Sequence, residues 1–267
     1  MQMCILFFVA LFLLYIFTIF GNVFLIAAVF TSPKLHLPMY FFLCNLSFID
    51  LCYSSSSLPK LLSAIFSVRR TVSIIGCLVQ MYSAVYLGSA ESFLLAVMAY
   101  DRYMAIVFPL YYNTIMNWIV CRNIIIIKWA GNFFLSVVPF ISRPPVFCTA
   151  NKLDHFACEM LAVLELACGN LAFYKLTILV VSFFTLVLPL LFIVVSYVLI
   201  ISSILKIRST GGRSKAFSTC ASHLTVVSVL WNEYQHVYGA SEKFFFKSEI
   251  YFSHLRCYYS RVKSFDL

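Results

Sequence analysis

The chain alternates long apolar runs with short polar breaks. The first run, Cys4 to Phe30, carries no charge, and the next cation is Lys34. A second run spans 38–58 and contains one acid, Asp50, before the break "SVRRT". A third spans 76–107, with Glu91 inside it and Asp101-Arg102 near its end, and a fourth spans 118–141. A polar segment from Ser142 to Tyr174 holds Cys148, Cys158 and Cys168, and the uncharged run 176–205 follows it. After the basic stretch "KIRSTGGRSK" a sixth run opens at Ala216 and extends to about 238. Crossing the hydrocarbon of a bilayer, ~30 Å thick, takes roughly 20 apolar residues in a helix. The pattern therefore predicts six membrane-spanning helices. Past Leu230, in "WNEYQHVYGASEKFFFKSEIYFSHLRCYYSRVKSFDL", charge and aromatics mix without a helical period, and no window reaches span length.

Composition agrees with that pattern. Of 267 residues 63% are hydrophobic and 11% charged, and mean hydropathy is +0.95, more apolar surface than a soluble domain of this size can bury. The net charge of +9 reflects basic inner loops rather than nucleic-acid binding, because no basic patch alternates with exposed aromatics in a soluble unit. The first run lacks a basic leader and is too long for a cleaved signal, so it reads as an uncleaved signal-anchor. The positive-inside rule places Lys206, Arg208, Arg213 and Lys215 in the cytoplasm. Five spans precede them, so the N-terminus lies outside, Lys34, Arg102 and Arg122 lie inside, and the cysteine-rich segment is outside. Arg69 and Arg70 fall outside, against the rule. Lys128, within span four, must snorkel or face protein. The outer cysteines, including Cys77, are in an oxidising compartment where they can pair, and four cysteines allow three pairings.

Two acids lie at membrane depth. Glu91 is ten residues from Asp101, about 15 Å along a helix, and Asp50 is twelve from Pro38, about 18 Å. Both reach similar depth from the inner side. Two carboxylates share such a site only when a proton or cation joins them. The residues alone leave open a monovalent cation site and a protonated pair making interhelical hydrogen bonds. Asp101-Arg102-Tyr103 reads either as a switch that releases Arg102 when helices move or as a solvated pair ending a span. Catalysis finds no support. His155, His223, His236 and His254 lack metal-ligand spacing, no CxxC occurs, Ser54 to Ser57 reads as packing, and Gly211-Gly212 is a flexible loop.

At these residues the chain resembles the olfactory (odorant) receptors, a branch of the rhodopsin-like G-protein-coupled receptors. The resemblance rests on "LHLPMYFFLCNLSFIDLCY", "SFLLAVMAYDRYMAIVFPLYY", "HFACEMLAVLELAC", Ser196-Tyr197 and "KAFSTCASHLTVV", with Gly21-Asn22, and covers about 20–230. It implies an all-α membrane protein with a rhodopsin-like seven-helix bundle, six of whose spans are recognisable. It implies that Asn22, Asp50 and Glu91 form a polar cluster holding sodium, with no other cofactor or metal. Asp101, Arg102, Tyr103 and Tyr197 would form the G-protein switch, with Pro189 on span five. Lys215 to His223 would form the mobile inner start of span six. It pairs Cys77 with Cys158 and Cys148 with Cys168, and it places Val85, Gly88, Ser89, Val181 and Thr185 around the ligand. The partners it implies are a small volatile odorant, a heterotrimeric stimulatory G protein that raises cyclic AMP, and the bilayer of the plasma membrane, with no nucleic acid. A transporter or channel, the alternative from another class, calls for inverted repeats and broken helices that the chain lacks.

The chain departs from the family at both ends. An outer N-terminal segment with a glycosylation triplet is missing, and Asn45-Leu46-Ser47 falls inside the membrane. The seventh span and its Pro-x-Leu-Asn-Pro-x-x-Tyr motif are not found, and 231–267 reads as an aberrant tail replacing outer span six and span seven. A one-nucleotide shift across Trp231 to Tyr238 restores family-like residues. The tail is therefore expected to be out of frame and the chain a pseudogene-type fragment, retained in the endoplasmic reticulum with little signalling.

Overall fold

The computed structural model describes residues 2–66, 71–143, 146–147, 152–153, 167–168, 171–206, 211, 217–218, 220–228 and 263–266. Helix α1, Gln2–Thr31, is apolar on every face, and its membrane-length stretch Ile5–Thr31 has no buried position. Phe17, Phe20 and Phe24 point outward, as lipid-facing residues do. After a single 3₁₀ turn, Pro33–Leu35, helix α2 runs over Pro38–Phe66 and packs on α1 and α3. It continues well past the expected end at 58, through Pro59. The serines in its outer half satisfy themselves within the helix. Ser54 donates to the Asp50 carbonyl at 2.7 Å and Ser56 to the Tyr53 carbonyl at 2.8 Å.

Helix α3, Ile74–Val107, is the axis of the bundle: it packs against α2, α5 and α8 and spans about 51 Å. Ser73 caps it by accepting the Gly76 N–H at 3.1 Å. A one-turn helix, α4, Tyr112–Ile115, lies in the loop that follows. Helix α5, Trp118–Ser136, is capped by Asn117, which accepts the Val120 N–H at 3.0 Å. It buries Cys121, Ile125, Lys128, Asn132 and Ser136, a stripe at spacings of four, three, four and four. Helix α6, Val138–Ser142, extends it.

Span five is longer and less regular than expected. Helix α7, Leu171–Ser182, starts five residues before 176 and takes in the exposed Lys175. A π-helical turn, Phe183–Val187, joins it to α8, Leu188–Leu205. The sixth run is helical at 217–218 and 220–228, with Cys220, His223 and Val227 buried at helical spacing. The remainder of the expected span, and all of 229–262, lies outside the described residues.

Among the described residues four helical stretches are long and apolar enough to cross a membrane: Ile5–Thr31, Ile74–Val107, Trp118–Ser142 and Ala172–Leu205. Helix α2 has the length, but Asp50 and its serines lower its hydropathy, and it gains burial from α1 and α3 instead. The core lies between α2, α3 and α8, where Phe42, Ile49, Leu94, Ala99, Ile200 and Ile204 are all but inaccessible. Among the described residues there are five short strands, four in the connections and one near the C-terminus: β1, Thr71–Ser73; β2, Val146–Phe147; β3, Lys152–Leu153; β4, Ala167–Cys168; and β5, Lys263–Asp266. β2 pairs antiparallel with β4, while β5 lies between β1, parallel to it, and β3, antiparallel to it. The C-terminal segment thus has a place in the fold that the irregular tail sequence did not suggest.

Candidate functional site

Three groups of residues singled out in the sequence lie on the α2–α3–α8 core. At the inner rim Asp101 is 2% exposed, and its carboxylate accepts the Tyr112 hydroxyl of α4 at 2.8 Å. Burial, reinforced by the Asp101 carboxylate, pushes the Tyr112 phenol well above its ordinary range, so it remains a donor at neutral pH. Asp101 feels the charge of its neighbour Arg102, but the hydrogen bonds of the two go elsewhere. Adjacent helical residues face different directions, and the Arg102 guanidinium turns to the Met39 sulfur on α2. The pair read from the sequence is therefore two separate contacts, one to the following loop and one to span two. Tyr103 packs edge-on against Phe108 at 5.8 Å. Tyr197 on α8 meets His223 of the sixth helix, hydroxyl to Nδ1, at 2.8 Å, with the rings nearly parallel at 5.7 Å. Pro189 is buried in the first turn of α8. Lys215 lies outside the described residues.

Deeper in the bundle Asn22, Asp50 and Glu91 are each half-buried, on α1, α2 and α3. Both carboxylates are engaged in contacts. The Asn22 amide N–H donates to the Thr18 carbonyl at 3.0 Å, which leaves its oxygen as the atom to offer a cation. Two carboxylates and an amide oxygen are donors of the kind that suit a hard cation.

Among the expected ligand residues Gly88, Ser89, Val181 and Thr185 are buried and Val85 half-buried. The π turn carrying Thr185 packs on α3, and π turns recur at functional sites. Ser89 is tied sideways to span four, its oxygen 2.9 Å from that of Ser136. Ser136 donates to Asn132 Oδ1 at 2.9 Å, and Asn132 Nδ2 donates to the Tyr86 carbonyl at 2.8 Å. Sequence reasoning missed Tyr112, Met39, Asn132 and Ser136; the polar members of the inward stripe on α5 were the available signal. That stripe also carries Lys128, which faces protein: it is 8% exposed, stands 3.9 Å over the Trp129 ring, and its Nζ has no hydrogen-bond partner among the described residues.

Cys77 is disulfide-bonded. Cys158 and Cys148 lie outside the described residues, and Cys168 lies in β4, whose pairing sets its backbone beside Val146. Cys44, Cys52, Cys121 and Cys220 are free thiols; the last two are buried and the first two half-exposed. At the outer end Tyr174 donates to the Arg143 carbonyl at 3.2 Å, and the Arg143 guanidinium lies 4.7 Å over the Phe173 ring.

Comparison with known proteins gives the arrangement a family. A family model described as olfactory receptor matches residues 11–239, further in both directions than the motifs alone reach. Human olfactory receptor 13C9 is 45% identical over 239 residues, covering 87% of this chain and 74% of that protein. Human olfactory receptor 2K2 is 45% identical over 214 residues, 80% of this chain and 68% of that protein. Olfactory receptor 1 of Rattus norvegicus is 44% identical over 226 residues, 84% and 72%. With the inner-rim residues, the mid-depth acids and the apolar helices all inside the matched region, this multi-pass membrane chain belongs to the olfactory receptor family.

Proposed function

We propose that the chain is an odorant receptor that binds small volatile hydrophobic ligands and couples to a stimulatory G protein, raising cyclic AMP. The observation that carries this reading is the set of closed contacts at the inner rim. Asp101 is capped by Tyr112, Arg102 is held on α2 by Met39, and Tyr197 is joined to His223 across spans five and six. Each contact links two helical segments, so relative movement of the segments breaks it, and a bistable element of this kind is what a ligand can bias. Val85, Gly88, Val181 and the hydroxyls of Ser89 and Thr185 form the ligand surface, apolar with two polar points, which suits a volatile molecule held mainly by shape.

Asn22, Asp50 and Glu91 would hold a sodium ion, which compensates two carboxylates at membrane depth. Pairing of Cys77 with Cys158 and of Cys148 with Cys168 would tie the outer loop to span three. The receptor acts at the plasma membrane with its N-terminus outside.

A second reading concerns competence. The mixed charged and aromatic sequence from Trp231 onward, without a window of span length, supports a receptor fragment retained in the endoplasmic reticulum. A cyclic AMP reporter in cells supplied with the olfactory stimulatory G protein tests both readings, beside a version with the tail returned to frame. Odorant responses with surface display support the first. Responses from the frame-restored version alone support the second, and silence from both sinks the coupling proposal.

A further inference from the structure

Among the described residues the one hydrogen bond of the Arg102 guanidinium goes to a thioether, Met39 Sδ. The carboxylate next to it in sequence, Asp101, accepts from Tyr112 instead. A thioether sulfur is a weak acceptor, so the inner-rim cation is held by a soft and weak partner. Met39 stands in the first turn of α2, Pro38–Phe66, at the end that the charge of the loops assigns to the cytoplasm. It is half-buried, whereas Met81, Met104 and Met116 are 2%, 5% and 3% exposed. Met98, also half-buried, lies further into α3 and packs on the bundle core. Met39 is therefore the thioether that combines an inner-rim position with contact to a cation.

We infer that Met39 is an oxidation site for hydrogen peroxide from the cytoplasmic side, and that its sulfoxide tightens the hold on Arg102. A sulfur lone pair attacks one peroxide oxygen and the O–O bond breaks. The sulfur keeps that oxygen and is oxidised by two electrons, while the other oxygen leaves as water with both protons. The added oxygen lies one bond beyond the sulfur, and the flexible side chain can turn it to the same guanidinium. A sulfoxide oxygen facing a guanidinium makes a charge-assisted hydrogen bond, about twice as strong as a neutral one. The contact between α2 and α3 that helix movement has to break is thereby strengthened, and oxidation acts as a brake on coupling. Reduction back to the thioether by a methionine sulfoxide reductase releases it.

The brake rests on the proposed coupling to a G protein, and the test separates the two. The full chain in lipid nanodiscs is treated with hydrogen peroxide, and peptide mass spectrometry follows oxygen addition at each methionine. Met39 is expected to gain oxygen several-fold faster than Met81, Met104 and Met116. Oxidation should raise the melting temperature of the parent chain. That rise should vanish in Met39→Leu, which conserves volume without an oxidisable sulfur, and in Arg102→Gln, which removes the cation. With a stimulatory G protein added, nucleotide exchange without odorant should fall several-fold on oxidation and recover with the reductase. Met39→Gln, whose amide oxygen stands in for the sulfoxide, should start from the lowered level. Oxidation of Met39 no faster than that of the buried methionines overturns the inference. So does a melting temperature that fails to rise, or rises equally in Met39→Leu. Exchange that proceeds unchanged after oxidation overturns the brake. A raised melting temperature with no exchange from any form leaves the oxidation site standing and takes down the coupling reading instead.

Discussion

At the residue scale Lys128 is the most anomalous side chain. A cation at mid-span costs at least ~2.5 kcal/mol, against which the desolvated contact with Trp129 returns about 2 kcal/mol. No hydrogen bond makes up the rest. Methionine has similar reach without charge, so Lys128→Met is expected to stabilise the bundle by about 1–2 kcal/mol, raising Tm by roughly 3–6 °C. Melting of the solubilised chain measures this, and an unchanged or lower Tm would show that the amine has a partner in the membrane. Tyr112 presents the opposite case. Tyr112→Phe leaves the buried Asp101 carboxylate without its donor, a loss of about 1.5–3 kcal/mol for a charged acceptor. If that bond holds the inactive arrangement, ligand-free cyclic AMP per displayed receptor rises several-fold, and an unchanged baseline shows that it does not. The phenol is held above its ordinary value of about 10, so its contribution is complete below that pH and is lost only as pH rises through the shifted value. The Tyr112 side of the latch is therefore unaffected between pH 6 and 8. The sequence displayed Asp101 and Arg102 clearly but not the contacts that each makes outside the pair, because contacts from one helix to the next are not encoded in adjacency.

At the element scale, what was legible follows from what each pattern measures. The runs in α1, α3 and α5 and the charge breaks around them are local properties, so their span positions came within a few residues. The end of α2 was placed at 58, where a proline and a cation follow in the sequence, yet the helix runs on through Pro59 to Phe66. The π turn in span five left no mark in an uninterrupted apolar run, since hydropathy does not register one extra residue in a turn. Its effect is geometric: Val181, Thr185 and Pro189 are buried at intervals of four across it, together with Tyr197 further on. Removing the extra residue, for example by deleting Phe184, which faces outward, would return the turn to regular α-helix and re-aim Thr185 against α3 while the flanking helices keep their faces. That deletion is expected to leave surface display near the parent level and abolish thermal protection by ligand. Retained protection would mean that Thr185 does not define the site.

At the scale of the whole molecule, the C-terminal strand constrains how often the chain crosses the membrane. β5, Lys263–Asp266, lies between β1, which follows span two, and β3, in the segment after span four. Both neighbours sit at the end of the bundle that positive-inside reasoning assigns to the exterior, and the basic stretch beginning at Lys206 sits at the other. An N-terminus and a C-terminal strand on one side require an even number of crossings, whereas the family's seven spans place its C-terminus inside. Strands of two to four residues add little stability on their own, so the consequence is one of topology. A tag appended after Leu267 is expected to stain on intact cells once the chain reaches the surface, or to be protected from protease in sealed microsomes if it does not. A tag within 206–215 should behave in the opposite way. Replacing Phe265 with proline removes a strand donor and should leave the sidedness of the tag unchanged, because the number of crossings, not the ladder, determines it. A cytoplasmic C-terminal tag would show that the tail crosses once more and that β5 cannot pair with β1 in the membrane.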